Sequence, residues 1–113
     1  MNTLMEQPIE EKIHTVRGVQ VMLDKDYGFR DQITRSSLSI PSNIAEGMEK
    51  DYPKEKNRFL EIAKGSTAEL ITQIYIGIEI DYIDKTTGLD WRQRLNEVSK
   101  MIVGLAKYHK PKP

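Results

Sequence analysis

The sequence predicts an all-α protein, an up-down antiparallel helix bundle. Apolar residues recur at steps of three and four along three long stretches, which is the period of one helix face. The segments between them are short and carry Pro53 and Gly88, residues that punctuate helices. Short connections favour antiparallel neighbours. Strand-like alternation is confined to one run near the start of the chain.

That start is set apart by charge. Residues 1–26 hold three basic and five acidic groups, a net of −2, and the remainder holds 14 against 12, a net of +2. Residues 1–11 are polar, with Pro8 tolerated in a loop or a first helical turn. From residue 12 to 23, Val19, Val21 and Leu23 alternate with Gln20 and Met22, and Arg17-Gly18 offers a tight turn after Ile13-His14-Thr15-Val16. A small hairpin is expected here. The rival is an amphipathic helix on Ile13, Val16, Val19 and Leu23, weakened by Gly18 and the β-branched residues. The expected organisation is an N-terminal segment, 1–26, and a helix-bundle domain, 27–110.

The first helix is expected over 28–47, on Phe29, Ile33, Ser36/Ser37, Ile40 and Ile44. Asp31 and Arg35 are placed to pair at i,i+4. Pro41 lacks a backbone donor and clashes one turn back, so a kink or restart is expected there. Gly47 suits a helix stop. The second helix is expected over 53–82, with Asp51 able to cap and Pro53 at the first position. It has two apolar seams: Phe59, Ala63, Ser66, Leu70, Gln73 and Gly77, and then Leu60, Thr67, Ile71, Ile74 and Ile78. Two seams imply burial on two sides. After a loop over 84–88, the last helix is expected over 89–109, on Trp91, Leu95, Val98, Ile102, Leu105 and His109. Pro111 and Pro113 forbid its continuation.

Composition narrows the function. The chain has 113 residues, one domain at most, and Lys+Arg and Asp+Glu both number 17. A net charge of zero does not announce a nucleic-acid binder. There is no cysteine, hence no disulfide framework or thiolate metal site. His14 and His109 stand far apart. No apolar run approaches the roughly 20 residues of a membrane span, and residues 1–11 lack the apolar core of a signal peptide. A cytoplasmic protein without membrane contact is expected. There is no metal cluster or phosphate loop, and Ser42 has no base near it in sequence. No enzyme, catalytic residue, cofactor or metal is therefore expected.

The polar groups of residues 39–47 need partners. Asn43 and Glu46 could orient a ligand, but satisfying backbone groups around Pro41 is the simpler role. Arg30, Arg35, Lys50, Lys54, Lys56, Arg58 and Lys64 flank the first loop and could form a basic patch for phosphates. Glu49, Asp51, Glu55 and Glu61 are interleaved and would make it a neutral solvated face instead. Trp91 could stack a base, but its register favours a core or interface anchor. Gly65 and Gly77 cost helix stability and could permit close packing.

Residues 27–109 resemble the small four-helix-bundle proteins encoded within intervening sequences of bacterial 23S rRNA genes. The resemblance rests on Tyr27-Gly28-Phe29-Arg30-Asp31-Gln32-Ile33, running through Arg35 into residues 39–47. It rests also on Phe59-Leu60-Glu61-Ile62-Ala63-Lys64-Gly65-Ser66-Thr67-Ala68-Glu69-Leu70 and on Tyr82-Ile83. It marks Ser39, Pro41, Asn43, Glu46, Gly47, Gly65, Ser66 and Glu69 as signature positions. The family includes retroelement accessory proteins that form ring-like homopentamers and bind nucleic acid and a reverse transcriptase. The resemblance thus implies a homo-oligomer with RNA or DNA, or a protein, as partner. Residues 13–26 instead resemble the opening of a KilA-N-like phage antirepressor domain, as if two reading frames had recombined. The expected function is a non-enzymatic, self-associating bundle that binds structured nucleic acid, RNA first, through Arg30, Arg35, Lys50, Lys54, Arg58 and Lys64 in a mobile-element setting. The alternatives are a protein-interaction scaffold docking on the second seam of the middle helix and a truncated, recombined family member.

Overall fold

The computed structural model describes residues 17–110, with side chains from Tyr27 onward. They form three helices, α1 (Arg17–Met48), α2 (Pro53–Glu79) and α3 (Lys85–Tyr108), and among the described residues there is no strand.

The hairpin is overturned where it can be tested. Arg17 and Gly18 lie inside α1 and residues 17–23 are helical throughout, while residues 12–16 lie outside the described residues. The physical reason is cooperativity. Once a helix is nucleated, each added residue gains a hydrogen bond. The propensity penalties of Gly18, Val19 and Val21 are at most about 1 kcal/mol each. α1 also crosses from residue 26 to 27 without a break.

α1 runs through Pro41 without restarting. A proline in a helix interior costs about 3 kcal/mol. Tertiary packing offsets this. Ile40 is 7% exposed, and Ile44 and Met48 pack on the same core. The Asn43 Nδ2 donates to the Ser39 carbonyl at 2.8 Å, so the backbone beside the proline gains an extra donor.

The helix ends differ in detail from expectation. Pro53 opens α2, but Asp51 does not cap it. The cap position is Tyr52, which makes no side-chain cap bond. Lys56 Nζ donates instead to the Met48 carbonyl at 3.1 Å, closing off the end of α1. α2 stops at Glu79 because the chain turns there in a Schellman arrangement. The Tyr82 N–H donates to Gly77 O at 2.8 Å and the Asp81 N–H to Ile78 O at 3.2 Å. Asp81 takes the left-handed conformation, φ 61°, that this turn requires. α3 starts at Lys85, so Thr86, Thr87 and Gly88 form its first turn and not a loop. The Asp84 carboxylate caps it by accepting from the Thr87 N–H at 3.2 Å.

α2 lies in the middle, packed on both neighbours, and among the described residues α1 and α3 do not pack on each other. Its two seams are divided between them. The first faces α1: Ser66 meets Ser39, and Gly77 lies under Phe29. The second faces α3, with Ile78 against Gly88. Gly77 and Gly88 set these approaches, because a Cβ at Gly77 would stand 2.7 Å from the Phe29 ring and one at Gly88 2.5 Å from Ile78. The core holds Ile40, Leu60, Ala63, Leu70, Ile74, Ile83 and Ile102. Leu60 and Thr67 are fully buried, and the Thr67 hydroxyl donates to the Ala63 carbonyl at 2.9 Å. Phe29 and Tyr82 close the far end edge to face, with centroids 5.3 Å apart. No helix among the described residues is long and apolar enough to cross a membrane.

Candidate nucleic-acid interface

The six cations expected to bind phosphates do not gather in one place. Arg35 and Arg30 lie 13 and 18 residues before the end of α1, about 20 and 27 Å from the first loop at 1.5 Å per residue. Arg35 pairs with Asp31 at 3.1 Å, Lys50 with Glu46 at 3.2 Å and Arg58 with Glu55 at 3.5 Å. Lys50 and Arg58 also stand over the Phe59 ring, 5.2 and 4.8 Å from its centroid. These exposed pairs contribute little to stability, but they hold charge that phosphates would otherwise meet. Lys54 and Lys64 make no ion pair among the described residues.

The antiparallel fold brings Lys64 new company. α3 ends beside the first half of α2, and a groove of about 290 Å³ opens between them. Its floor is Leu60, Ile102 and Ala106; Lys64 stands on one wall, Lys107 and Lys110 on the other. Glu61 is the one acidic residue lining it. Neither Lys107 nor Lys110 has an ion-pair partner among the described residues. Lys107 lies in the last turn of α3, where a cation is favoured by the helix dipole.

This half of the molecule is electropositive. Residues 44–64 and 100–110 carry eight basic and five acidic groups, a net of +3, whereas residues 27–43 and 65–99 carry five and seven, a net of −2. Lys107 and Lys110 were missed by sequence reasoning because they lie more than 40 residues from Lys64. The available signal was the acid-free charge of residues 100–110, once antiparallel topology places them beside α2.

Four of the eight signature positions, Ser39, Asn43, Gly47 and Ser66, make contacts within the fold. Ser39 Oγ and Ser66 Oγ are 2.7 Å apart, and Asn43 Nδ2 donates to Ser39 Oγ at 2.9 Å and to the Ser39 carbonyl. The amide is thus committed to α1 itself. A Cβ on Gly47 would lie 3.0 Å from Phe59 Cβ and 3.1 Å from the Lys56 carbonyl, so this glycine lets the two helix ends approach. Pro41, Glu46, Gly65 and Glu69 lie on the surface. Gly65 has open space where a Cβ would go, so close packing does not explain it.

The second seam of α2 is largely covered by α3. Leu60, Thr67 and Ile74 are at most 2% exposed. One accessible apolar groove, of about 350 Å³, lies between α1 and α3, where Ile33, Leu70, Ile74 and Leu95 lie beside Trp91. Trp91 is 44% exposed, so it borders this groove and is not a core residue.

Three helices about one apolar core, with Lys64, Lys107 and Lys110 brought to one groove, define a small all-helical protein; its described residues hold no cluster of metal-ligating side chains. The family model for 23S rRNA-intervening sequence proteins matches residues 9–104, and the chain belongs to that family. No curated protein matches it.

Proposed function

We propose that this chain is a non-enzymatic bundle protein that self-associates and holds structured nucleic acid, RNA before DNA, by phosphate contacts. The observation that carries the reading is the α2–α3 groove, where Lys64, Lys107 and Lys110 face one another with only Glu61 opposing them. Cations with no ion-pair partner among the described residues give up no ion pair there on meeting a phosphate, and they release counterions from the nucleic acid. Such contacts position a chain without reading its bases. No residue needs a catalytic role and no cofactor enters the mechanism.

Self-association is supported by the apolar groove beside Trp91, which a second copy would cover. It would complete a four-helix arrangement and repeat the lysine groove around the assembly. Repetition converts a weak attraction into useful avidity. The ring-like pentamer implied by the resemblance is one such assembly. Membership of the 23S rRNA-intervening sequence family, whose match takes in residues 13–26, is the support for a mobile-element setting.

The test is binding of a labelled RNA hairpin from low to moderate salt. Affinity is expected to fall steeply as salt rises from about 50 to 200 mM. Absence of binding at the lowest salt overturns the reading. The second reading, a protein-docking module, rests on the Trp91 groove alone. Reversing the charge of Lys64, Lys107 and Lys110 separates the two, since it abolishes nucleic-acid binding and spares docking at Trp91.

A further inference from the structure

We infer that the α2–α3 groove takes an unpaired stretch of nucleic-acid backbone and not the face of a duplex. The inference rests on the phosphate-binding reading above and says which part of a structured nucleic acid this chain holds.

The first argument is shape. The groove is a cleft of about 290 Å³ between two packed helices, whose axes in such packings lie about 8–10 Å apart. A duplex presents its phosphates on a convex cylinder wider than that cleft and would touch only the rim. A single strand can lie along it.

The second argument is spacing. The contact of Gly88 with Ile78 fixes the level of α3 against α2. From that level Lys64 is 14 residues along α2 and Lys107 is 19 residues along α3, with Lys110 just past the helix end at Tyr108. At 1.5 Å per residue Lys64 and Lys107 stand at about 21 and 28 Å along the groove, about 7 Å apart, and Lys110 follows Lys107. Phosphates of one stacked strand advance about 3.4 Å along the axis, and further when unstacked. Each lysine can therefore meet its own phosphate on one strand.

The third argument is the lining. Val103 and Ala106, its partly exposed apolar residues, offer apolar contact to sugars and base edges that only an unpaired strand can lower into the groove. The groove lining contains no aromatic ring, and Phe59 is engaged by Lys50 and Arg58. Base stacking, the usual source of composition preference in single-strand sites, is thereby excluded from this groove. Purine and pyrimidine strands are expected to bind alike.

Glu61 supplies a variant that misfolding cannot imitate. It is exposed and repels phosphate across the groove, so Glu61→Gln is expected to tighten binding, whereas a damaged fold would weaken it.

The experiment titrates the full-length protein with a labelled mixed-sequence dodecanucleotide, its duplex, and ATP as competitor, across a salt series. The single strand is expected to bind about tenfold tighter than the duplex, with a log–log salt slope of about −2 for three phosphates. Lys107→Gln should reduce that slope to about −1.4. Glu61→Gln should tighten binding about threefold at low salt, where charge is least screened, and Lys54→Gln should change it less than about twofold. Duplex binding as tight as single-strand binding overturns the inference and leaves the phosphate reading standing. Displacement of the strand by ATP at equal phosphate concentration also overturns it, because the site would then hold a mononucleotide. Failure of both single strand and duplex to bind overturns the phosphate reading itself.

Discussion

The hydroxyls of Ser39 and Ser66 meet at 2.7 Å across the α1–α2 interface, two residues from the proline that interrupts the hydrogen bonding of α1. Asn43 donates into the same pair. The most distinctive polar residues of the chain thus join two helices at the point where one of them is locally weakest. Their hydrogen bonds are made within the fold.

A double-mutant cycle on this pair tests that role. Ser39→Ala and Ser66→Ala should each cost about 1 kcal/mol, or about 4–8 °C in Tm for a domain of this size. The double variant should cost less than their sum, because the two share one bond. Additive losses in thermal unfolding would mean that the hydroxyls act separately.

The glycines of α2 and α3 divide into two kinds. At Gly77 and Gly88 a methyl group would stand 2.5 Å from Ile83 and Ile78 respectively, and Gly→Ala is expected to cost about 1–3 kcal/mol at each. At Gly65 and Gly104 nothing lies within 4 Å, and the same change should stabilise by about 0.5–1 kcal/mol. Urea unfolding of the four variants reads both signs in one series.

Asp81 is the described non-glycine residue with positive φ, at the position where a Schellman turn prefers glycine. The left-handed conformation costs an L-residue about 1–2 kcal/mol. Asp81→Gly should recover part of this and raise the urea midpoint, despite the greater chain entropy of glycine. A lowered midpoint would show that the carboxylate contributes to the turn.

Apolar residues that look alike in sequence should behave differently. Leu60→Ala removes a side chain with no solvent exposure and should cost about 2–5 kcal/mol, enough to threaten a fold of ordinary stability. Leu38 is 61% exposed, and Leu38→Ala should stay within about 0.5 kcal/mol. Equal losses at both would mean that Leu38 is buried in an assembly.

The cations divide in the same way. Arg35 and Arg58 are paired with acids, so Arg→Gln at either should change nucleic-acid affinity less than about twofold. Lys107→Gln and Lys110→Gln should each weaken it severalfold at low salt. An equal response at the paired arginines would mean that the interface is not confined to the α2–α3 groove.

The helix faces were readable in the sequence because a 3.6-residue period is a local property. Phe29, Ile33, Ile40 and Ile44 face inward as their spacing requires, and both seams of α2 are covered as two seams demand. The Asp31–Arg35 pair forms for the same reason. The helix ends were less legible. Asp84 as a cap and Asp81 in the left-handed turn were overlooked because Thr86, Thr87 and Gly88 read as turn residues. Val19 and Val21 suggested a strand because β-propensity was judged without the helix that extends through them.

The sequence by itself determined that this chain is mainly helical, the central part of each of its three long helices, and most of the residues that face a neighbour. These follow from periodicity, which needs no knowledge of the rest of the molecule. Tertiary structure alone decided that α1 continues through Pro41, because the packing that offsets the lost hydrogen bond comes from α2. It also decided that Lys64 is joined by Lys107 and Lys110 and not by Arg30 and Arg35. Which charges meet depends on the level at which one helix packs on another. That level is set by close contacts such as Gly88 with Ile78, formed between residues that no local pattern relates.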